Sequence, residues 1–570
     1  MNMGVNMKEK IYLTDDMAIL NFDLAYPESR SGLLKSKEFH TFIAHYIDYL
    51  KKNDSKLYHW AVRDMTDKQA VESLCKFGRE LLVFNAEEID MPYIEDREMA
   101  LEFVESCYDF WKGHARYSIT TDRRRDAEST AFVTSDSQHN QLILSTFRRL
   151  EQTVMGRANK VYRQQPAGTN ASLALYRNDA FMFDSNYDAL RKVMFIDSVM
   201  LRTPMILYTK SNKREWPFEK VDVNPIDTFN GNREEFFCFP AKVGDLTIFI
   251  YFHRDFMASG VACANLFELA TKKEASKKPD CILIFGNQDG KEQCSFYFDE
   301  ESDLWVGSVS YSEKISYFGY MKKSVLTLHN VAMMQRGWLP IHGAFVNITL
   351  KNGKKKGICL MGDSGAGKSE TIEALKSLGD DKIKNIEVVF DDMGTFHIHD
   401  GKVYAKGSEI GAFVRLDDLD PATPYRDMNR SVFFNPDKAN ARVITPAAPY
   451  SVITESHPVD LFAYANNYDD GIGLRRVEDM EEAKAIFIEG KRMAKGTTQE
   501  VGISTTYFAN PFGPMQEQEM CGTIIDEVFD CLNANGVFIG EVFTHLGCAP
   551  EDRGGIVKGA EDLLRFIEEN

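Results

Sequence analysis

Residues 358–375 read "ICLMGDSGAGKSETIEAL", and this stretch decides how the rest of the chain is read. A short apolar run with strand character comes first. Gly362 to Ser369 then spell G-x-x-x-x-G-K-S, and a helical pattern follows. Strand, glycine-rich loop and helix in that order form a phosphate loop and predict an α/β domain. Gly362, Gly365 and Gly367 let backbone N–H groups curl around phosphate oxygens, and the helix N-terminus adds positive potential. Asp363, Ser364, Ala366 and Glu370 complete the predicted nucleotide-binding segment. Lys368 is expected to bridge the β- and γ-phosphates of ATP, and Ser369 to ligate Mg²⁺. The motif names a phosphate donor and leaves the acceptor open.

Downstream lies "IEVVFDDMGTF", where Val388 to Phe390 predict a buried strand ending in Asp391-Asp392. Carboxylates at a strand exit beside a phosphate loop are suited to metal binding. Neighbouring residues of an extended chain point to opposite sides, so the two acids are expected to serve different partners. Upstream, "YFGYMKKSVLTLHN" holds Tyr317, Lys322 and Lys323, and His342 follows in "LPIHGAF". Phe345–Leu350 and Gly357–Met361 predict two strands joined by a turn at Asn352-Gly353. The lysines at 351 and 354–356 are expected to be solvated hairpin charges.

The totals set limits. The chain has 570 residues, enough for two to four cores, and a formal net charge of −18. An acidic surface argues against nucleic acid or an anionic membrane as a main partner. No run of about 18 apolar residues predicts a membrane span, and the first residues do not resemble a secretion signal. Ten scattered cysteines without a CxxC pair predict reduced thiols and a cytoplasmic protein.

The texture divides the chain into three expected regions. Residues 1–160 are expected to be a largely helical N-terminal extension, with Met99, Phe103, Cys107 and Phe110 on one stripe and Leu142, Phe147, Leu150 and Val154 on another. Between the stripes, "TTDRRRDAEST" is expected to be a solvated turn. Residues 161–335, with "ASLALYR", "KVMFIDSVM", "PMILYTK", "DLTIFIYF" and "CILIFG", predict a mixed-sheet domain on the substrate side. Residues 336–570 form the predicted nucleotide domain, closing on an amphipathic helix in "GAEDLLRFIEEN".

The order YxGxMKK, HG, GxSGxGKS and DD resembles ATP-dependent phosphoenolpyruvate carboxykinase and its relative HPr kinase/phosphorylase. "KVYAKGSEI", "ANARVITP" and "GTTQEVGISTTYFANPFG" resemble later carboxykinase segments in the same order. The resemblance covers roughly residues 310–570. It implies an enolate-side Mn²⁺ held by Lys323, His342 and Asp392, beside Lys322. It implies that Lys368, Ser369 and Asp391 carry ATP–Mg²⁺, with Lys406 near the same phosphates. Arg442 would stabilise the transferred phosphoryl group, and Tyr317 would lie against the substrate. The implied reaction is decarboxylation of oxaloacetate, or a related small carboxylate, to an enolate that takes the γ-phosphoryl group and yields phosphoenolpyruvate. The loop's own wording, with Asp363 and Glu370, resembles the kinase branch. There Asp391 or Asp392 would accept the proton of a hydroxyl on a protein or small molecule. A nucleotide-binding regulator without turnover is a third reading. The chain departs from the carboxykinase pattern at three places. It lacks an R-S-P-K-D substrate clamp, for which Arg163, Arg202 and Arg214 are candidates. Gln499 stands where an arginine is usual, and His342 is followed by Gly343-Ala344.

Overall fold

A computed structural model describes residues 9–121, 131–156, 168–179, 185–229, 232, 234–363, 365–418, 425–495, 501–548 and 554–570. The class is mixed α/β, as expected. The chain separates into two compact units. The first is Met1–Arg177 with Val193–Tyr208 and Arg233–Glu235; the second holds the remainder, including Phe236–Asn570. The expected boundary at 160/161 falls inside the first unit and that at 335/336 inside the second. Arg163, Ser364, Gln499 and the arginines of "TTDRRRDAEST" lie outside the described residues.

The first unit contains the expected helices, Arg97–Gly113 and Ala131–Met155, and also Lys37–Asn53 and Asp67–Val83. Their apolar faces meet in one core built around Tyr46, Leu50, Phe77, Phe103, Trp111 and Phe147. This region also carries strands. Met17–Asn21, Ala115–Thr121 and Ala171–Tyr176 pair in parallel, flanked by the antiparallel strands Ile11–Leu13 and Met194–Leu201. Strand Ala171–Tyr176 joins Tyr117↔Ala171 through Thr121↔Leu175, which ties residues beyond 160 into this unit. The helices are therefore the crossovers that parallel strands require.

The second unit has two large sheets and a long helix, Phe318–Gln335. In one sheet Leu246–His253, Cys281–Asn287 and Leu304–Ser310 run parallel. In the other, Lys355–Met361, Leu461–Asn466 and Phe538–Phe543 run parallel. Strand Leu339–Leu350 pairs with Lys355–Met361 through the predicted hairpin, where Gly353 has φ 93°. Helix Phe318–Gln335 touches strands of both sheets and is buried along almost its whole length. That placement explains why it lacks the one-sided apolar stripe of a surface helix. No helix of the described residues is long and apolar enough to cross a membrane, and all ten cysteines are free.

His329 on this helix is 1% exposed, and its Nδ1 lies 3.0 Å from Asn330 Oδ1. Burial pulls its imidazole down to about 4, against the Asn330 contact and Asp245. An unfolded histidine titrates near 6.5, so between these values the unfolded chain binds more protons. The His329 contribution is thus complete above about pH 6.5 and is lost as pH falls toward 4, at most about 3 kcal/mol. Denaturant melts of wild type and His329→Gln at pH 7.5 and pH 5 isolate it. Wild type should lose more stability than the variant on acidification; equal losses would refute a neutral buried imidazole.

Candidate functional site

The phosphate loop lies between strand Lys355–Met361 and helix Lys368–Leu378, as its sequence predicts. Gly362, Gly365 and Gly367 have φ of 155°, 79° and 98°. A Cβ on Gly367 would approach Thr544 Cβ to 2.7 Å, so both backbone conformation and space require glycine there. Three side chains hold the loop's carbonyls. Thr544 Oγ1 donates to Ala366 O at 2.7 Å, Asn467 Nδ2 to Gly365 O at 3.2 Å, and Lys368 Nζ to Gly362 O and Asp363 O at 2.7 and 3.0 Å. Lys368 is thus folded back onto its own loop. Asp363 pairs with Arg492 at 2.9 Å. Ser369 is exposed and Glu370 half-buried in the first helical turn.

The paired aspartates sit at a bend. Strands Ile383–Phe390 and Met393–His399 both pair with Leu339–Leu350, through Phe345↔Phe390 and His342↔Met393. Asp391-Asp392 fill the break between them, and Gly343 N donates to Asp392 O at 3.0 Å. The two carboxylates part company there. Asp391 Oδ1 accepts from Ser369 Oγ at 3.0 Å, on the phosphate-loop side. Asp392 Oδ2 lies 2.7 Å from Lys322 Nζ and 2.8 Å from Lys323 Nζ, and its Oδ1 is 3.1 Å from His342 Nε2.

This cluster is charged, with Lys322 and His342 buried and Lys323 and Asp392 half-buried. Lys322 is 0% exposed and also contacts Glu409 at 3.0 Å. Burial alone would lower the Lys322 ammonium, but Asp392 and Glu409 overrule it and hold it above its usual value. Lys323 goes the other way. Burial lowers it, Lys322 adds to that, and Asp392 does not fully compensate. Burial would raise Asp392, yet the two lysines drive it well below the carboxylate range. Burial pushes Asp391 up to about 6, against the Ser369 hydrogen bond and Lys368. Glu409 is lifted by burial to about 7, with Lys322 opposing.

His342 supplies a test of whether a cation fits. Its Nδ1 lies 2.7 Å from Ala509 O, and a carbonyl only accepts, so Nδ1 carries the proton. Phe508 and Ala509 hold that carbonyl in place with φ of 50° and 44°, a left-handed conformation unfavourable for either residue. The other ring nitrogen, Nε2, faces Asp392 Oδ1 at 3.1 Å. An Nε2 lone pair and the Asp392 carboxylate, beside a lysine whose ammonium is held below its usual pKa, are a donor set suited to a divalent cation. Among the described residues no three His, Cys, Asp or Glu side chains form a metal-binding group. A cation here would therefore rely on Lys323 or on ligands from substrate and water.

Two phenylalanines organise the remaining groups. Lys323 Nζ and the Arg214 guanidinium carbon lie 4.2 and 5.0 Å from the centroid of Phe512, and the His342 ring stands edge-on to it at 6.1 Å. Lys322 and Arg442 each lie 5.6 Å from the centroid of Phe413, and Tyr317 is 6.2 Å away. Arg214 makes no ion pair or hydrogen bond among the described residues. It is exposed to solvent, and surrounding protein lowers its pKa through desolvation. Arg442 donates from Nη2 to Asn440 Oδ1 at 2.8 Å, while its Nε has no hydrogen-bond partner among the described residues.

The structure thus brings together Lys322, Lys323, His342, Asp392 and Tyr317, with Asp391, Ser369 and Lys368 on the loop side. Lys406 is placed elsewhere. It pairs with Asp245 at 2.7 Å and faces Trp338. Arg202, a second clamp candidate, is engaged by Asp136 in the first unit. Glu409, Phe413, Arg492 and Phe512 were not singled out by sequence. Glu409 lies within "KVYAKGSEI" and Phe512 within "NPFG"; these positions were the available signal. Comparison with protein-family models gives no match to the chain, and comparison with curated proteins gives none either.

Proposed function

We propose that this chain is a phosphoryl-transfer enzyme of the phosphoenolpyruvate carboxykinase type. It moves a phosphoryl group between ATP and an enolate derived from oxaloacetate or a related small carboxylate. One observation carries the reading: Lys322, Lys323 and His342 converge on Asp392 while its neighbour Asp391 holds the serine of the phosphate loop. Nucleotide binding alone does not call for that cluster. Lys323, His342 and Asp392 would hold Mn²⁺, and Ser369 with Asp391 would hold the Mg²⁺ of ATP; such cations polarise the reacting oxygens and offset phosphate charge.

The protein's own groups account for the rest. Lys368 leaves the loop carbonyls to grip the β- and γ-phosphates. Arg442, with an unused Nε, faces the transferred group and balances its charge. Phe512 and Phe413 keep water from the lysines. Arg214 shares the Phe512 ring with Lys323 and is the group that binds the substrate carboxylate. Removal of that charge-assisted contact, worth about 1.5–3 kcal/mol, is expected to raise KM for the carboxylate about 10–100-fold in Arg214→Gln. ATP affinity should stay unchanged. A variant with unaltered KM would assign the carboxylate to another residue.

The direct test incubates the protein with ADP, Mn²⁺, bicarbonate and phosphoenolpyruvate and assays oxaloacetate, then runs the reverse reaction. Turnover in neither direction overturns the carboxykinase reading. One observation favours a second: the Asp391 carboxyl, pushed up to about 6 beside Ser369, is tuned to take a proton near neutrality, as a kinase acting on a hydroxyl needs. In that case label from γ-labelled ATP appears in a protein or metabolite and is lost with Lys368→Ala.

A further inference from the structure

We propose that the first unit carries a separate anion site, built for a small phosphate-bearing molecule. Helix Ala131–Met155 places Ser145, Arg148, Arg149 and Gln152 at positions i, i+3, i+4 and i+7, which is one face. Arg30 reaches the same face, its Nε donating to Ser145 Oγ at 3.4 Å. These five residues line a cavity of about 260 Å³. Among the described residues its lining holds three guanidinium groups, a hydroxyl and an amide, and no carboxylate.

That composition runs against the chain's balance of 85 acidic and 67 basic residues. Elsewhere in the unit, arginines find acids: Arg97 pairs with Glu87 at 2.7 Å, and Arg202 with Asp136. Arg30 has only the serine hydroxyl among the described residues. The side chain of Arg149 makes no hydrogen bond or ion pair among them. Arg30 and Arg149 face one cavity with no carboxylate partner among the described residues; their like charges repel one another, and an anion between them removes the repulsion. Guanidinium forks match phosphate oxygens in pairs, which carboxamides and lysines do not. The cavity lies below the roughly 300–1,000 Å³ of drug-sized ligand sites, so its occupant is a phosphate monoester or pyrophosphate rather than a nucleotide. The site shares no residue with the phosphate loop.

Inorganic pyrophosphate is the probe, titrated calorimetrically into full-length Lys368→Ala protein, in which the loop's own phosphate grip is removed. One equivalent should bind, more weakly as salt rises. Adding Arg149→Gln should weaken binding at least tenfold, and Arg149→Lys, which keeps charge but loses the fork, should weaken it several-fold. Arg30→Gln gives a second reading from another helix, and thermal melts show that each variant is folded. Absence of pyrophosphate binding in Lys368→Ala protein overturns the proposal. So does equal binding in the Arg149→Gln and Arg30→Gln variants.

Discussion

Replacing Asp392 by Asn is expected to lower phosphoryl-transfer turnover about 10³-fold and to weaken Mn²⁺ binding in the same sample. The carboxylate has three partners at once. Lys322 and Lys323 reach one of its oxygens at 2.7 and 2.8 Å, and His342 faces the other at 3.1 Å. Asparagine has nearly the same shape but no charge, and its NH₂ group would turn a donor toward either the ammonium groups or the imidazole. Both lysines then lack their common counter-charge. The pull by which Asp392 partly offsets the lowering of the Lys323 ammonium disappears. ATP binding should fall far less, because the loop is held by Thr544, Asn467 and Asp391 rather than by Asp392. Turnover, free Mn²⁺ measured by its magnetic resonance signal, and ATP affinity separate these effects. A variant that keeps turnover within a few-fold of wild type would remove Asp392 from the chemistry. Equal losses of turnover and ATP affinity would instead mean a collapsed loop.

The parts of this site that sequence revealed are those whose chemistry is written in consecutive residues. The phosphate loop needs its glycines, lysine and serine at fixed spacing, and Asp391-Asp392 needs only a strand before it. The geometry adds what separates the two acids, a break between two strands that share one partner. Lys406 shows the limit of the reading. It sits in a strand whose alternation buries Val403, Ala405 and Gly407, so Tyr404 and Lys406 take the other face, with Trp338 and Asp245. Glu409 and Phe413 come from one segment and Phe512 from another far along the chain, and no spacing in either marks them as neighbours of the lysines. Arg214 was one of three equal candidates until Phe512 placed it beside Lys323. In the first unit, Ala115–Thr121 was missed because it is short and lies between strongly periodic helices.

Glu409→Leu should destabilise the second unit by about 3–5 kcal/mol, and Lys322→Met in the same chain should restore most of that loss. Lys322 is fully buried, and its ammonium has two acidic partners, Asp392 at 2.7 Å and Glu409 at 3.0 Å. Asp392 is already shared with Lys323, so at a pH well above 7, where it is ionised, Glu409 supplies the charge that balances the second lysine, and the melts are run there. With leucine at 409, a buried cation keeps half a partner, and desolvation is no longer offset. Removing the cation as well leaves two apolar side chains of similar volume beside Phe413, which already lies 5.6 Å from Lys322 Nζ. Replacement of a buried ion pair by such residues is often neutral or stabilising. Denaturant melts of wild type, both single variants and the double variant form a double-mutant cycle. A coupling energy of at least about 2 kcal/mol is expected. Additive effects would mean that Lys322 and Glu409 do not balance each other. The double variant should nonetheless lose turnover, because Lys322 also sets the charge of Lys323. Recovery of stability without recovery of activity would show that this buried pair is kept for the chemistry beside it rather than for the fold.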